Sequence, residues 1–197
     1  MEKIKERLIH VIKIFSFSGY FSLALSIIGG VLFLVLCANI KFFLPFSPVP
    51  ITLQTFGIFL ISLLYAYPKG VFTVILYILG GISGLPFFTG LSTPGLHYLW
   101  GPTGGYLLAF ILASFIINRF KNQNLFFETF LLFSGNVMIY FLGALWLYIW
   151  FNLIIGETIS VFKVLDLGVF PFIVGDTLKI FLAISLYRLF INAKKII

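Results

Sequence analysis

The sequence predicts an all-α integral membrane protein, a bundle of six transmembrane helices with both termini in the cytoplasm. Of its 197 residues, 61% are hydrophobic and only 10% are charged, and its mean hydropathy is +1.14. A soluble domain of this length would need far more polar surface. Apolar runs of about bilayer length, roughly 20 residues each, follow one another along the chain, and the cations between them are unevenly divided.

The first element is a short basic segment at residues 1–15, which precedes span 1 at residues 18–38. A proline-rich connection at residues 41–50 follows, and its prolines deny it a regular helix. Span 2 then covers residues 51–67.

Span 3, at residues 71–82, follows a tight turn, and a long connection with many turn formers at residues 84–101 leads to span 4 at residues 102–117. Spans 2 to 4 have roughly 12 to 17 residues, fewer than the norm near 20. Flanking backbone must therefore lie at membrane depth, where it is tolerated only if it packs against protein or lines a cavity. The short spans thus predict a polar pocket built partly from the two long connections.

Span 5 is the longest, at residues 126–153, and follows a polar turn at residues 118–124. A loop with three charged residues leads to span 6 at residues 171–190. The chain contains no clear internal repeat, and residues 1–197 are predicted to form a single membrane domain.

The orientation of the bundle follows from its cations. With six spans, both termini share one side with the 2–3 and 4–5 connections. Ten cations fall on that side: Lys3, Lys5, Arg7, Lys13, Lys69, Arg119, Lys121, Arg188, Lys194 and Lys195. Only Lys41 and Lys163 fall on the other side, and Lys179 lies within span 6. Cytoplasmic connections carry the excess of Lys and Arg, so we expect a multi-pass membrane protein with both termini in the cytoplasm.

Composition and missing motifs exclude several functions. The net charge of +7 forms no basic stripe, so we expect the lipid bilayer and no nucleic acid as a partner. Cys37 is the only cysteine, which excludes a thiolate metal cluster, and we predict no metal site. The sequence has no phosphate-binding loop, no H-E-x-x-H and no G-x-G-x-x-G. We therefore expect no enzyme, no ATPase site of its own and no cofactor.

Polar residues cluster where spans 2, 4 and 6 begin, all at the predicted outer face. The candidate binding residues in these clusters are Thr52, Gln54, Thr103, Tyr106, Asp176 and Lys179. Helix N-termini present free N–H groups and partial positive charge, which suits an anionic or hydrogen-bonding ligand. The alternative is three ordinary helix starts with proline at the first position and threonine as the cap.

Asp176 and Lys179 are the clearest indication of a binding site in the sequence. Three residues apart, they share a helix face, and ionisable groups inside a span usually face a cavity or each other. The alternative is an ion pair that only pins helices together. Asn136 and Tyr140, four apart on span 5, either line the same interior or join helices. His97 is the only ionisable residue of its connection, and is either a ligand or simply solvated.

Small residues recur at four-residue spacing on span 1, at Ser18, Ser22, Ser26 and Gly30. Such a stripe lets another helix approach closely. The approaching helix could belong to this chain or to another protein.

The chain resembles the BioY family, the biotin-specific S components of energy-coupling factor (ECF) importers. The resemblance rests on strings that span most of the chain in the family's order: Pro45-Phe46-Ser47-Pro48-Val49-Pro50-Ile51-Thr52-Leu53-Gln54-Thr55, Gly101-Pro102-Thr103-Gly104-Gly105-Tyr106, Gly135-Asn136 with Tyr140, Gly143 and Trp146, and Pro171 to Lys179. The family fold is a six-helix bundle with both termini inside.

The resemblance implies that the substrate is biotin, captured with high affinity at the outer face and then moved across the bacterial inner (cytoplasmic) membrane. It also implies partners: a transmembrane T component and two ATPase subunits, with the small residues of helix 1 serving the docking. Two alternatives stay open: a self-sufficient secondary biotin transporter, and an S component for another small vitamin.

Overall fold

The structure is a computed structural model that describes the backbone of residues 2–88 and 95–196 and the side chains of residues 19–88 and 95–193. Its helices are α1 (Glu2–Asn39), α2 (Gln54–Leu64), α3 (Lys69–Ile82), α4 (Gly104–Phe120), α5 (Leu125–Ile149), α6 (Val161–Gly168) and α7 (Ile173–Ile196). Two short antiparallel strands, β1 (Lys41–Phe42) and β2 (Ile51–Thr52), pair between α1 and α2. Single turns of 3-10 helix at Leu96–Tyr98 and Phe170–Phe172 precede α4 and α7, and a π-helical turn at Trp150–Ile155 extends α5.

The six predicted spans correspond to α1 to α5 and α7, which confirms the all-α six-helix bundle. Among the residues that the structure describes, three stretches are long and apolar enough to cross a membrane: Gly19–Asn39, Leu125–Ile155 and Val161–Ala193. Helices α2, α3 and α4 have only 11, 14 and 17 residues, as their short apolar runs predict.

The connection between α1 and α2 packs against the bundle, in agreement with the short-span argument. Ser47 and Val49 are buried, and the Ser47 hydroxyl donates to the carbonyl of Leu167 at 2.6 Å. The Leu53 N–H donates to the carbonyl of Ile40 at 3.0 Å, which closes the β1–β2 hairpin at its base. This irregular backbone therefore completes the layer that an 11-residue helix cannot span.

Helix α6 is the element that the sequence prediction missed, because its charges indicated a loop. It has eight residues and begins at Ser160, whose hydroxyl accepts the Lys163 N–H at 3.2 Å. Val164 and Leu167 are buried, while Lys163 and Asp166 are exposed. The charges thus lie on the outer face of a short amphipathic helix packed on α5.

Helices α4 and α5 approach each other where both carry glycine. A Cβ atom at Gly105 would lie 2.2 Å from the Trp146 Cβ and 2.7 Å from the Leu142 carbonyl oxygen, and one at Gly143 would lie 2.2 Å from the Tyr106 ring. Real contacts are never this short, so neither position accommodates a side chain. The two glycines thereby set how close Tyr106 lies to α5.

Charged groups secure the other end of the bundle. Glu128 is fully buried and forms a 2.8 Å ion pair with Arg188, which joins α5 to α7. Lys121 donates to the carbonyls of Ser62 at 2.9 Å, Leu63 and Tyr65, so it caps the C-terminal end of α2. Burial lowers the pKa of Lys121 to about 8.

The orientation of the termini is open to a direct experiment. We expect a cysteine at Thr158, in the exposed segment before α6, to react with a membrane-impermeant thiol reagent on intact cells. A cysteine at Asn122, between α4 and α5, should react only after permeabilisation, since most cations lie on that side. The parent chain is the control, because its Cys37 is buried. The reverse labelling pattern would overturn the predicted orientation.

Candidate functional site

A cavity lies where α2, α4 and α7 begin, with α5 forming its fourth side. Its lining consists of Val49, Pro50, Thr52, Gln54, Thr55, Tyr98, Thr103, Tyr106, Leu107, Phe110, Ile139, Tyr140, Phe172, Asp176 and Lys179. The structure therefore brings the three polar clusters of the sequence to one place. The volume of about 50 Å³ is below the roughly 300–1,000 Å³ of most ligand pockets, so the lining is close-packed in this structure.

Asp176 is the centre of the hydrogen-bond network around the cavity. Its side chain is buried, and its Oδ1 accepts the Thr55 hydroxyl at 2.8 Å and the Lys179 ammonium at 2.7 Å. Its Oδ2 accepts the Tyr140 hydroxyl at 2.7 Å. The carboxylate thus holds α2, α5 and α7 together, and hydrogen bonds to a charged acceptor are the strong ones.

Lys179 neutralises Asp176 and also reaches α2. Its ammonium donates to the Thr52 carbonyl at 2.7 Å, and its side chain is 11% exposed. A buried ion pair is tolerated when each member has further hydrogen bonds, as both members do here. Asp176 and Lys179 are predicted to share a helix face, and in the structure they form a direct ion pair.

Thr52 and Gln54 shape the α2 side of the cavity. The Thr52 hydroxyl accepts the Gln54 N–H at 3.1 Å and donates to the Gln54 side-chain oxygen at 3.0 Å. Thr103 precedes α4 but makes no side-chain cap to it. The N-cap residue of α2 is Leu53, and no side chain caps either helix. The alternative of plain threonine caps therefore fits neither Thr52 nor Thr103.

Apolar and aromatic side chains form the rest of the wall. Tyr106 is buried, and its hydroxyl donates to the Gly168 carbonyl at 2.8 Å, which leaves the ring as its contribution to the cavity. Phe110, Ile139 and Phe172 are also buried. The cavity therefore combines one charged, hydrogen-bonded end with an apolar interior, as small-molecule sites generally do.

Seven of the nine predicted binding residues line the cavity, and Asn136 and His97 do not. Asn136 is buried one turn before Tyr140, and its Oδ1 accepts no hydrogen bond from the residues that the structure describes. His97 is exposed on the 3-10 turn before α4. Sequence reasoning missed the role of Thr55, although its place one turn after Thr52 was a usable signal.

The small-residue stripe of α1 divides between two environments. A Cβ atom at Gly30 would lie 2.8 Å from Thr73, so this end of the stripe packs on α3. The Ser26 carbonyl accepts the Tyr65 hydroxyl at 2.6 Å. Ser22 is exposed, and Ser18 lies outside the residues whose side chains are described. The stripe is thus an internal seam at Gly30 and an open surface at Ser22.

Comparisons with known proteins agree on one family. The family model described as BioY family matches residues 16–195. A probable biotin transporter BioY from Pyrococcus horikoshii is 35% identical over 68% of this chain and 75% of its own length. A biotin transporter BioY from Thermotoga maritima is 34% identical over 71% of this chain and 79% of its own length.

Among solved structures, the fold is similar to a crystal structure of the S-component for biotin from an ECF-type ABC transporter. The TM-score is 0.78 at 26% sequence identity, and the match covers 89% of this chain and 93% of the other. The similarity therefore extends over most of both chains.

Proposed function

The chain belongs to the BioY family, and on that premise we propose that it takes up biotin as the S component of an ECF-type importer. The observation that carries the binding role is the buried Asp176–Lys179 pair inside a cavity with apolar walls. Relatives that are 34 to 35% identical are named as biotin transporters, which supports the same substrate here.

The pair has hydrogen-bonding capacity left for a ligand. A carboxylate offers about four lone-pair positions and an ammonium three N–H groups. Among the described residues, Asp176 accepts three hydrogen bonds and Lys179 donates two. One acceptor position on Asp176 and one donor on Lys179 therefore remain, which matches the N–H and the carbonyl of a ureido group.

Biotin fits the remaining chemistry of the cavity. Its ureido ring would bind Asp176 and Lys179, and its apolar thioether ring would lie against Tyr106 and Phe110. Its carboxylate would extend toward the outer loops, where the N-terminal ends of α2 and α4 favour an anion. His97, exposed on the turn before α4, would be a candidate partner for that carboxylate, although it does not line the cavity. Because the cavity is small, the lining must move apart to admit the ligand.

The energy for transport would come from partners. We assign this chain a transmembrane T component and two ATPase subunits, because the structure that it resembles is the S-component of an ECF-type ABC transporter. The chain itself carries no phosphate-binding loop in its sequence. It would then work in the cytoplasmic membrane, with biotin arriving from outside.

Equilibrium binding tests the function directly. The purified chain in detergent should bind biotin, and it should bind lipoate and riboflavin far more weakly. Lipoate has no ureido group, and the N–H of riboflavin lies between two carbonyls of a much larger tricyclic ring that does not match Asp176 and Lys179. Isothermal titration with the three ligands on one preparation gives the comparison. Preference for either competitor, or no biotin binding by folded protein, would refute the proposal.

The docking surface on α1 gives a separate prediction. We expect Ser22→Leu to weaken co-purification with the T component while biotin affinity stays at the parent value, because bulk on an exposed small-residue surface blocks close helix approach. Ser134→Leu on α5 is the control, since the Ser134 hydroxyl bonds only its own helix, at the Phe130 carbonyl, among the described residues. Equal co-purification of both variants would contradict a docking role for Ser22.

A further inference from the structure

We infer that Tyr77, which does not line the cavity, is a positioning residue for the ligand. It fixes the side-chain amide of Gln54 so that the carbonyl oxygen of that amide faces the cavity. The inference rests on the proposed biotin-binding function, and it identifies an additional acceptor for the ligand.

Tyr77 lies on α3, is fully buried and does not line the cavity, but it is hydrogen-bonded to Gln54, which does. The Gln54 Nε2 donates to the Tyr77 hydroxyl at 2.7 Å, and that hydroxyl donates to the Phe87 carbonyl at 3.2 Å. Tyr77 therefore links α2 to the first residues after α3.

The hydrogen bonds around Tyr77 have a fixed direction. A tyrosine hydroxyl has a single proton, and a backbone carbonyl can only accept. Because the Tyr77 proton is given to Phe87, only its lone pairs face Gln54, and the Gln54 group that meets them must be the NH₂ end. The other end agrees, since the Thr52 hydroxyl accepts the Gln54 backbone N–H and gives its proton to the Gln54 side-chain oxygen.

Aromatic packing against α3 holds Tyr77 and the Phe87 carbonyl in place. The Phe87 ring lies parallel to the Tyr77 ring at 6.1 Å, and the Phe88 ring meets it edge-on at 5.7 Å. Both phenylalanines lie directly on glycines of α3, where a Cβ atom at Gly80 or Gly81 would be 2.2 to 2.3 Å from the rings. The Phe87 carbonyl is thereby held where the Tyr77 hydroxyl meets it.

The fixed Gln54 amide determines which ligand groups can bind beside it. Thr52 uses one lone pair of the Gln54 carbonyl oxygen, and a carbonyl oxygen has two. The second is an acceptor on the cavity side of the amide, suited to an N–H group such as the ureido N–H that Asp176 does not take. With the amide reversed, the NH₂ group would oppose that N–H. Tyr77 thus selects ligands that donate at this position.

A double-mutant cycle separates positioning from general packing. Tyr77→Phe removes only the hydroxyl, and Gln54→Met removes the amide at similar volume. Isothermal titration with biotin should show a loss of about twofold to tenfold for Tyr77→Phe, as for one ordinary hydrogen bond. Once Gln54 is Met, the further change Tyr77→Phe should alter affinity by less than about twofold, since coupled residues are not additive.

The control is Tyr187→Phe, which removes a buried hydroxyl from α7 at the other end of the bundle and should leave biotin affinity unchanged. A parent chain that binds no biotin would overturn the proposed function and this inference with it. If the parent binds biotin but the affinity losses of the two single variants simply multiply in the double variant, the inference alone is overturned. The same holds if Tyr77→Phe causes no loss of affinity. If Tyr77→Phe alone fails to fold, the double variant Gln54→Met with Tyr77→Phe is used in its place, because it has no Gln54 amide left without a partner. Its biotin affinity is compared with that of Gln54→Met. Equal affinity supports the inference, and a further loss overturns it.

Discussion

Replacing Asp176 with asparagine is expected to lower biotin affinity by roughly tenfold to a hundredfold, the worth of a hydrogen bond to a charged group. The carboxylate accepts from three donors, namely Thr55, Tyr140 and Lys179. An asparagine amide must point its NH₂ group at one of these donors, and it also leaves the Lys179 ammonium without its counter-ion. The ligand N–H would then lose its charged acceptor.

Calorimetry on Asp176→Asn, with a thermal melt to check the fold, measures this effect. Asp166→Asn is the matched control, because Asp166 is an exposed carboxylate on α6 and its loss should leave affinity unchanged. Lys179→Met should also weaken binding, since it removes the donor to the ureido carbonyl and leaves Asp176 buried without its partner. If both α7 variants stay folded and bind like the parent, the ion pair is structural and the ligand lies elsewhere.

The second large effect is expected from Gly105→Ala, a change of one methyl group. That methyl would lie 2.2 Å from the Trp146 Cβ and 2.7 Å from the Leu142 carbonyl oxygen, and neither atom can turn away without moving α5. Overpacking of this kind costs typically 1–3 kcal/mol and occasionally more. We expect a melting temperature several degrees below the parent, together with weaker biotin binding, because Tyr106 is the next residue of α4.

Gly29→Ala provides the comparison for that experiment. Gly29 is also helical, but a Cβ atom there meets nothing within 4 Å among the described residues. Alanine is the better helix former by about 0.5–1 kcal/mol, so this variant should melt at or slightly above the parent temperature. Similar melting temperatures for the two variants would show that the close α4–α5 approach does not limit stability.

The character of the fold could be predicted from composition and periodicity. Six continuous apolar runs and little charge predict a helical bundle in a bilayer, because a helix satisfies its backbone polar groups within one apolar segment. The short spans 2 to 4 also indicated that connections pack into the protein, and Ser47 and Val49 are buried as that argument requires. Helix α6 was not predicted, because it has only eight residues and its two exposed charged side chains made the segment look like a loop.

The candidate site was predictable to the extent that its residues stand out locally. Asp176 and Lys179 could be paired by their three-residue spacing within one helix, and the threonines and glycines of the other two clusters lie at helix starts. The spacing could not show that Tyr140 and Thr55 both donate to the same carboxylate, since these bonds cross 36 and 121 residues of chain. Nor could it distinguish His97, which is exposed, from the residues that line the cavity.

Sequence alone therefore determined that this protein is a membrane-embedded helical bundle with a polar cluster at three helix starts, because hydrophobic periodicity and charge are local properties. Tertiary structure alone decided which groups share a hydrogen bond. In the sequence, Tyr77 is one of many aromatic residues with apolar neighbours. Its hydrogen bond with Gln54 forms only where α2 and α3 meet. Glu128 and Arg188 are 60 residues apart and become a buried ion pair only where α5 and α7 are packed side by side. Direction and partner of a hydrogen bond depend on ångström-scale placement, which is fixed by the packing of whole helices.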